Sequence, residues 1–92
     1  MKHNSYFQDK VQSLSLNEKE GPATVGVIEK GTFTFSTANE ERMTLLTGTM
    51  KVKLPGAAEW KTLTAGEGFI VPPRMSFDVD APADVAYICR YR

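Results

Sequence analysis

The 92-residue sequence is long enough for a single domain, residues 1–92, and for no more. Eleven Lys and Arg balance eleven Asp and Glu, so no net charge points to nucleic acid or a membrane surface as a partner. The chain has no apolar span of membrane-crossing length, no signal-peptide core and a single cysteine, features that predict a cytoplasmic protein. So short a chain buries a thin core, which favours a homodimer.

Short alternating or β-branched runs recur along the chain, and no stretch has the apolar spacing of a helix. The sequence therefore predicts an all-β fold. The predicted strands, in chain order, are Val11–Leu16, Thr24–Glu29, Thr32–Ser36, Arg42–Leu46, Thr49–Leu54, Trp60–Leu63, Gly68–Val71, Ser76–Val79 and Val85–Tyr91.

The connections between these strands are short and rich in Gly, Pro, Asn and Asp. Short connections make antiparallel neighbours, and this number of strands favours a small β-barrel or a two-sheet jelly roll. Residues 1–10 are predicted to be loosely tethered, with Tyr6 and Phe7 as the side chains that dock them.

Two spacings resemble the paired motifs of cupins, which are small β-barrel proteins. Glu41 is followed after six residues by Gly48, and Gly66 is followed after five by Pro72. A metal-binding cupin would add two histidines before Glu41 and a third near Phe77, but the only histidine is His3. Because a transition metal needs three or four ligands, we predict no metal site.

The chain as a whole resembles a family of short single-domain cupins, the pyrimidine/purine nucleoside phosphorylases. The most specific parts of the resemblance are GTFTFST at residues 31–37 and CRY at residues 89–91. The resemblance implies a small cupin-type β-barrel that cleaves purine and pyrimidine nucleosides to free base and ribose 1-phosphate. It implies inorganic phosphate as co-substrate and neither metal nor other cofactor.

Two charged residues are the catalytic candidates. Glu41 opens a strand whose alternation places Met43 on the same inward face, and a carboxylate there would stabilise a cationic sugar. Arg90 interrupts an apolar strand, and its planar guanidinium matches phosphate. The alternatives are a rim glutamate for Glu41 and a structural ion pair between the two residues. Arg74, after the Pro-Pro corner, is a weaker phosphate candidate that solvent alone would explain.

The base is expected to bind by stacking, because purines and pyrimidines differ in their hydrogen-bonding edges. The predicted substrate-binding residues are Phe35, Ser36, Thr37, Met43 and Phe77, with Thr34 as a further hydroxyl donor. The aromatic residues and Met43 also suit an ordinary core. Tyr87 and Tyr91 alternate with Arg90 and are assigned to packing or dimer contacts on the face opposite the cavity, although a β-bulge near Cys89 would exchange the two faces. Cys89 is read as a buried small hydrophobe.

Two other functions remain open at this point. A non-catalytic cupin that binds a small molecule would keep the cavity and lack the chemistry. A purely structural dimerisation domain would fill the cavity with side chains. An anion site inside the barrel would distinguish the enzyme from both.

Overall fold

A computed structural model of the protein describes all residues from 1 to 92. The chain forms ten β-strands, and it contains no helix of the length and hydropathy that would cross a membrane. The strands are β1 (His3–Tyr6), β2 (Val11–Glu18), β3 (Gly21–Ile28), β4 (Gly31–Ser36), β5 (Glu41–Thr47), β6 (Thr49–Lys53), β7 (Lys61–Thr64), β8 (Gly68–Val71), β9 (Ser76–Ala81) and β10 (Val85–Tyr91).

The strands form two antiparallel sheets. The larger sheet has the order β1-β2-β3-β10-β5-β8, and the smaller has the order β4-β9-β6-β7. The all-β jelly roll predicted from the sequence is confirmed. Hydrogen bonding does not continue from one sheet into the other, so the barrel alternative is replaced by a sandwich with four free edge strands. Side-chain packing between the two inner faces joins the sheets.

The prediction that residues 1–10 are loosely tethered is wrong, because part of this segment is a paired β-strand. His3–Tyr6 forms β1 and pairs with residues 11–14 of β2 in a four-residue antiparallel ladder. Asn4 reinforces the pairing by donating through Nδ2 to Ser13 Oγ at 3.3 Å and to Ser15 Oγ at 3.0 Å. The docking expected of Phe7 does occur, since its ring packs on Phe33 and Phe35. Alternation did not reveal β1 because its HNSY sequence has no apolar face.

The core lies between the sheets and follows from strand alternation. On β5 the side chains of Met43 and Leu45 are buried, while Arg42 is exposed and Thr44, between the two buried residues, is partly exposed. Burying a large aliphatic side chain contributes about 1.5–3 kcal/mol. The core cluster contains 16 buried residues, drawn from both sheets. The same alternation determines which side chains of β5 and β10 point toward the space between the sheets.

The two motif spacings have structural explanations. Gly48 has a φ of +90°, and a Cβ there would lie 2.7 Å from Val85 Cγ1, so only glycine suits the turn between β5 and β6. After Pro72 the chain turns a corner that is tied to the end of β4. There the Thr37 hydroxyl donates to the Pro72 carbonyl at 2.7 Å, and it accepts from Met75 N at 3.0 Å.

Candidate functional site

A cavity of about 200 Å³ opens between the two sheets. This is smaller than the about 300–1,000 Å³ typical of sites that enclose a drug-sized ligand. The cavity therefore suits a small ligand, part of which extends to the mouth. The residues that line the cavity come from both sheets and from the β1–β2 turn: Tyr6, Phe7, Ser13, Thr34, Phe35, Ser36, Glu41, Met43, Tyr87, Cys89 and Tyr91.

One wall of the cavity is polar and is centred on β10. Antiparallel pairing places Tyr87 opposite Leu45, Cys89 opposite Met43 and Tyr91 opposite Glu41. The Tyr91 and Thr24 hydroxyls lie 3.0 Å apart. Burial raises the pKa of the Tyr87 phenol to about 12 and also raises the pKa of Tyr91. Both phenols therefore remain neutral hydrogen-bonding groups at physiological pH.

Glu41 is the only ionisable carboxyl group that lines the cavity. It is half-buried, and this desolvation raises the pKa of its carboxyl above the ordinary value of 4.5. The Cys89 thiol donates to Glu41 Oε1 at 3.4 Å, and this hydrogen bond opposes the rise. Burial and the adjacent carboxyl raise the pKa of Cys89 to about 12, so the sulfur is a protonated donor. The buried state predicted for Cys89 is confirmed.

The opposite wall is aromatic and comes from β4 and β9. Phe35 lines the cavity and stacks on Phe77, with ring centroids 5.4 Å apart and planes inclined by 16°. Phe77 is the cross-strand partner of Phe35, is buried beside it and meets Phe69 edge-on at 5.4 Å. The structure thus places Phe35 at the surface of the cavity and Phe77 in the core next to it.

The predicted placement of Arg90 in the cavity is wrong. Its guanidinium lies on the outer face of the larger sheet and binds Glu18 with two contacts, Nε–Oε1 at 2.9 Å and Nη2–Oε2 at 3.3 Å. β10 alternates regularly from Tyr87 to Tyr91, so the two tyrosines face inward and Arg90 faces outward. The assignment of Tyr87 and Tyr91 to the opposite face is wrong for the same reason. No Arg or Lys lines the cavity.

Of the predicted hydroxyl donors, Thr34 and Ser36 line the cavity and Thr37 does not. Thr37 is buried in the corner beside Pro72 and does not line the cavity. Ser36 and Thr34 lie at the rim, and their hydroxyls pair across the outer face of the smaller sheet with Ser76 Oγ at 3.2 Å and Asp78 Oδ1 at 2.7 Å. Arg74 does not line the cavity either. Of the predicted substrate-binding residues, Phe35, Ser36 and Met43 line the cavity, whereas Thr37 and Phe77 do not.

Comparison with known proteins identifies the family. The sequence model of the family described as Pyrimidine/purine nucleoside phosphorylase matches residues 1–91. The chain belongs to this family. A relative from Yersinia pestis (strain Pestoides F), named Pyrimidine/purine nucleoside phosphorylase, is 44% identical over 92 residues, covering 99% of this chain and 97% of the relative.

Solved structures agree with the fold. A protein of unknown function from Vibrio parahaemolyticus is 41% identical, has a TM-score of 0.94, and the match covers 99% of this chain and 97% of that one. An RmlC-like cupin from Shewanella frigidimarina is 18% identical, with a TM-score of 0.71 over 92% of this chain and 78% of that one. The cupin fold of this nucleoside phosphorylase family member is thereby confirmed.

Several cavity residues escaped the sequence analysis. Tyr6 and Phe7 were expected to dock the N-terminus but not to line the site, and Ser13 was not considered. The inward orientation of Tyr87 and Tyr91 could have been inferred from Cys89. A buried Cys89 points inward, and residues two positions away on a strand share its face. No group of three His, Cys, Asp or Glu side chains in the structure is arranged to bind a metal ion.

Proposed function

We propose that the protein is a broad-specificity nucleoside phosphorylase that cleaves purine and pyrimidine nucleosides with inorganic phosphate. A phosphate oxygen forms a bond to the anomeric carbon while the bond from that carbon to the base nitrogen breaks. The electron pair of the broken bond leaves with the base, which takes a proton from water or phosphate. The products are the free base and ribose 1-phosphate. Membership of the family and the names of its relatives support this reaction.

The observation that carries the proposal is the contrast between the two walls of the cavity. Phe35 offers an apolar ring face, and the opposite wall offers the hydroxyls of Tyr87 and Tyr91. Stacking on an aromatic ring tolerates any base, since every base has a π-face. A nucleoside is flat and aromatic at one end and rich in hydroxyls at the other, so both of its ends find complementary groups.

Glu41 is the group proposed to act on the sugar. The departing base leaves a sugar with oxocarbenium character, and a nearby carboxylate stabilises that positive charge. In a partly desolvated cavity this attraction is stronger than in water. The thiol hydrogen bond from Cys89 occupies Oε1 and helps to fix the carboxylate orientation. The reaction as proposed needs no metal and no organic cofactor.

The decisive experiment measures release of free base by chromatography. Purified protein is treated with chelator and incubated with uridine or inosine, with and without phosphate. The proposal predicts base release only with phosphate, and formation of ribose 1-phosphate in equal amount. Base release without phosphate would make the protein a hydrolase, and no release from any purine or pyrimidine nucleoside would end the proposal.

The second candidate is a non-catalytic module that binds a small flat molecule. It is favoured by one observation: no cation of the chain lines the cavity, although phosphate is the expected co-substrate. A binder of neutral ligands needs no such cation. Nucleoside binding detected by calorimetry, with no base release in the same samples, would support this candidate over the enzyme.

We also propose that the protein is a homodimer joined through the outer face of the larger sheet. Leu14, Val25 and Val27 are adjacent there and are 47%, 40% and 49% exposed. The chain has no net charge, so two copies approach without electrostatic repulsion, and burying this face would enlarge a small core. Light scattering should give twice the chain mass, and Val27→Lys should halve it. A wild-type monomer at micromolar concentration would refute the dimer.

A further inference from the structure

The turn between β1 and β2 has an unusual backbone. Three consecutive residues, Phe7, Gln8 and Asp9, have φ values of 53°, 56° and 68°. Side chains other than glycine adopt this left-handed region seldom, and then usually as single residues. Backbone strain of this kind persists only where surrounding contacts hold it, and it is concentrated at functional sites.

Most hydrogen bonds that hold the turn are local to the β1–β2 hairpin; the exception is Glu29 N after β3, which donates to the Lys10 carbonyl at 2.8 Å. Lys10 N donates to the Phe7 carbonyl at 3.2 Å, and Gln12 Nε2 donates to the Asp9 carbonyl at 3.0 Å. Ser5 Oγ donates to the Asp9 carboxylate. None of the hydrogen bonds of this turn reaches the smaller sheet. The turn can therefore move relative to that sheet without breaking a hydrogen bond between them.

The side chain of Phe7 makes the aromatic contacts that cross the gap. Its ring centroid lies 5.0 Å from that of Phe33 and 5.3 Å from that of Phe35, with planes inclined by 48° and 78°. The ring lines the cavity and remains 40% exposed. Phe7 thus covers the mouth from the larger sheet while it rests on the aromatic wall of the smaller one.

Phe35 has one face occupied by Phe77, in a nearly parallel stack. Phe7 meets Phe35 almost at right angles, on the side of the cavity. A flat ring that enters against Phe35 must displace Phe7 or turn it toward a parallel arrangement. Either movement brings the Phe7 ring against the entering ligand.

We propose that Phe7 is the movable roof of the cavity and stacks on the base of a bound nucleoside. The identity of the ligand rests on the proposed function, whereas the role of the roof follows from the turn and the ring contacts. Purine nucleosides should depend on Phe7 more than pyrimidine nucleosides, because a two-ring base offers more surface to the roof. Phe7 would then contribute to the balance between the two substrate classes.

The test compares Phe7→Leu, which keeps an apolar side chain without a ring, with Phe7→Tyr, which restores the ring. Trp60→Leu is the control, since Trp60 is an exposed aromatic residue outside the cavity. Phe7→Leu should raise KM for inosine about 5- to 150-fold, with a smaller rise for uridine and little change in kcat. Phe7→Tyr and Trp60→Leu should keep the wild-type KM.

A Phe7→Leu protein with wild-type KM for both nucleosides would overturn the proposal, and a lower Tm alone would then assign Phe7 to packing. If the wild type releases no base, the proposed phosphorylase activity is refuted. The role of Phe7 is then tested by comparing adenosine binding to the wild type and to Phe7→Leu by calorimetry. Weaker adenosine binding by Phe7→Leu than by the wild type supports the roof. Equal binding by the two proteins, or no binding by the wild type, overturns it.

Discussion

Replacing Glu41 with Gln removes the single ionisable carboxyl group of the cavity while nearly preserving its shape. The amide oxygen can still accept the hydrogen bond from the Cys89 thiol, which the carboxylate accepts at 3.4 Å. What is lost is the negative charge that would face a cationic sugar. Removing one group that stabilises transition-state charge typically lowers kcat about 10²- to 10³-fold. No other charge lines the cavity to substitute for it, so we expect a loss in this range.

The pH profile tests which form of Glu41 is active. Burial raises the pKa of the carboxyl above its ordinary value of 4.5. Because the ionised form is the proposed active form, wild-type kcat/KM should fall as the pH decreases through this raised pKa. The Glu41→Gln profile should lack that acid limb. Phosphate also titrates, so both proteins are measured in the same series of saturating phosphate buffers and the two profiles are compared.

Thermal unfolding supplies the control for folding, and its sign follows from linkage. The folded state binds the Glu41 proton more tightly than the unfolded state, so the associated stability is complete below the unfolded pKa and is lost as pH rises through the folded one. At pH 7 the wild type carries the desolvation cost of the carboxylate, and Glu41→Gln does not. Its Tm at pH 7 should be no lower than that of the wild type. A folded Glu41→Gln protein with wild-type kcat and an unchanged acid limb would refute the reasoning.

Three further predictions concern the surroundings of the cavity. Arg90→Ala should keep wild-type kcat/KM. Its free energy of unfolding in urea should fall by at most about 1 kcal/mol, because the pair of Arg90 with Glu18 is partly exposed on the outer face. A large loss of activity would contradict the outward placement. Gly26→Ala should destabilise the fold by about 1–3 kcal/mol, since a Cβ there would lie 2.7 Å from the Tyr87 hydroxyl oxygen, and an unchanged Tm would contradict that contact. Native Cys89 should react slowly with iodoacetamide at pH 8, because burial raises its pKa to about 12, and denaturant should restore the rate; fast labelling of the folded protein would contradict its burial.

The strands were predictable because alternation and turn residues are local signals. The run Gly68–Val71 has the predicted bounds, and Val85–Tyr91 likewise begins and ends where the sequence places it. The face that each strand presents was harder to assign. On β10 the presence of a charge among apolar residues suggested that Arg90 binds a ligand, but its partner Glu18 lies 72 positions earlier. No local pattern identifies a salt bridge between residues so distant in sequence.

The cavity itself depends on contacts that arise only when the two sheets pack together. Phe7 follows β1 of the larger sheet, yet its ring rests on Phe33 and Phe35 of the smaller one. Thr37 belongs to the most family-specific stretch of the sequence, yet its hydroxyl bonds backbone atoms of the corner beyond Pro72. The resemblance indicated the family, which the comparison with known proteins confirms. It did not indicate whether each residue contacts a ligand or supports the fold.

An anionic co-substrate poses an electrostatic problem in this cavity. Phosphate beside an ionised Glu41 is repelled, and no Arg or Lys among the lining residues offsets the repulsion. The free edge of β4 offers a solution, since β4 pairs only with β9 and an edge strand presents unpaired backbone N–H donors. Backbone donors bind phosphate without a formal positive charge. Donors of this kind would offset part of the repulsion that an ionised Glu41 exerts on phosphate, without adding a cation to the cavity.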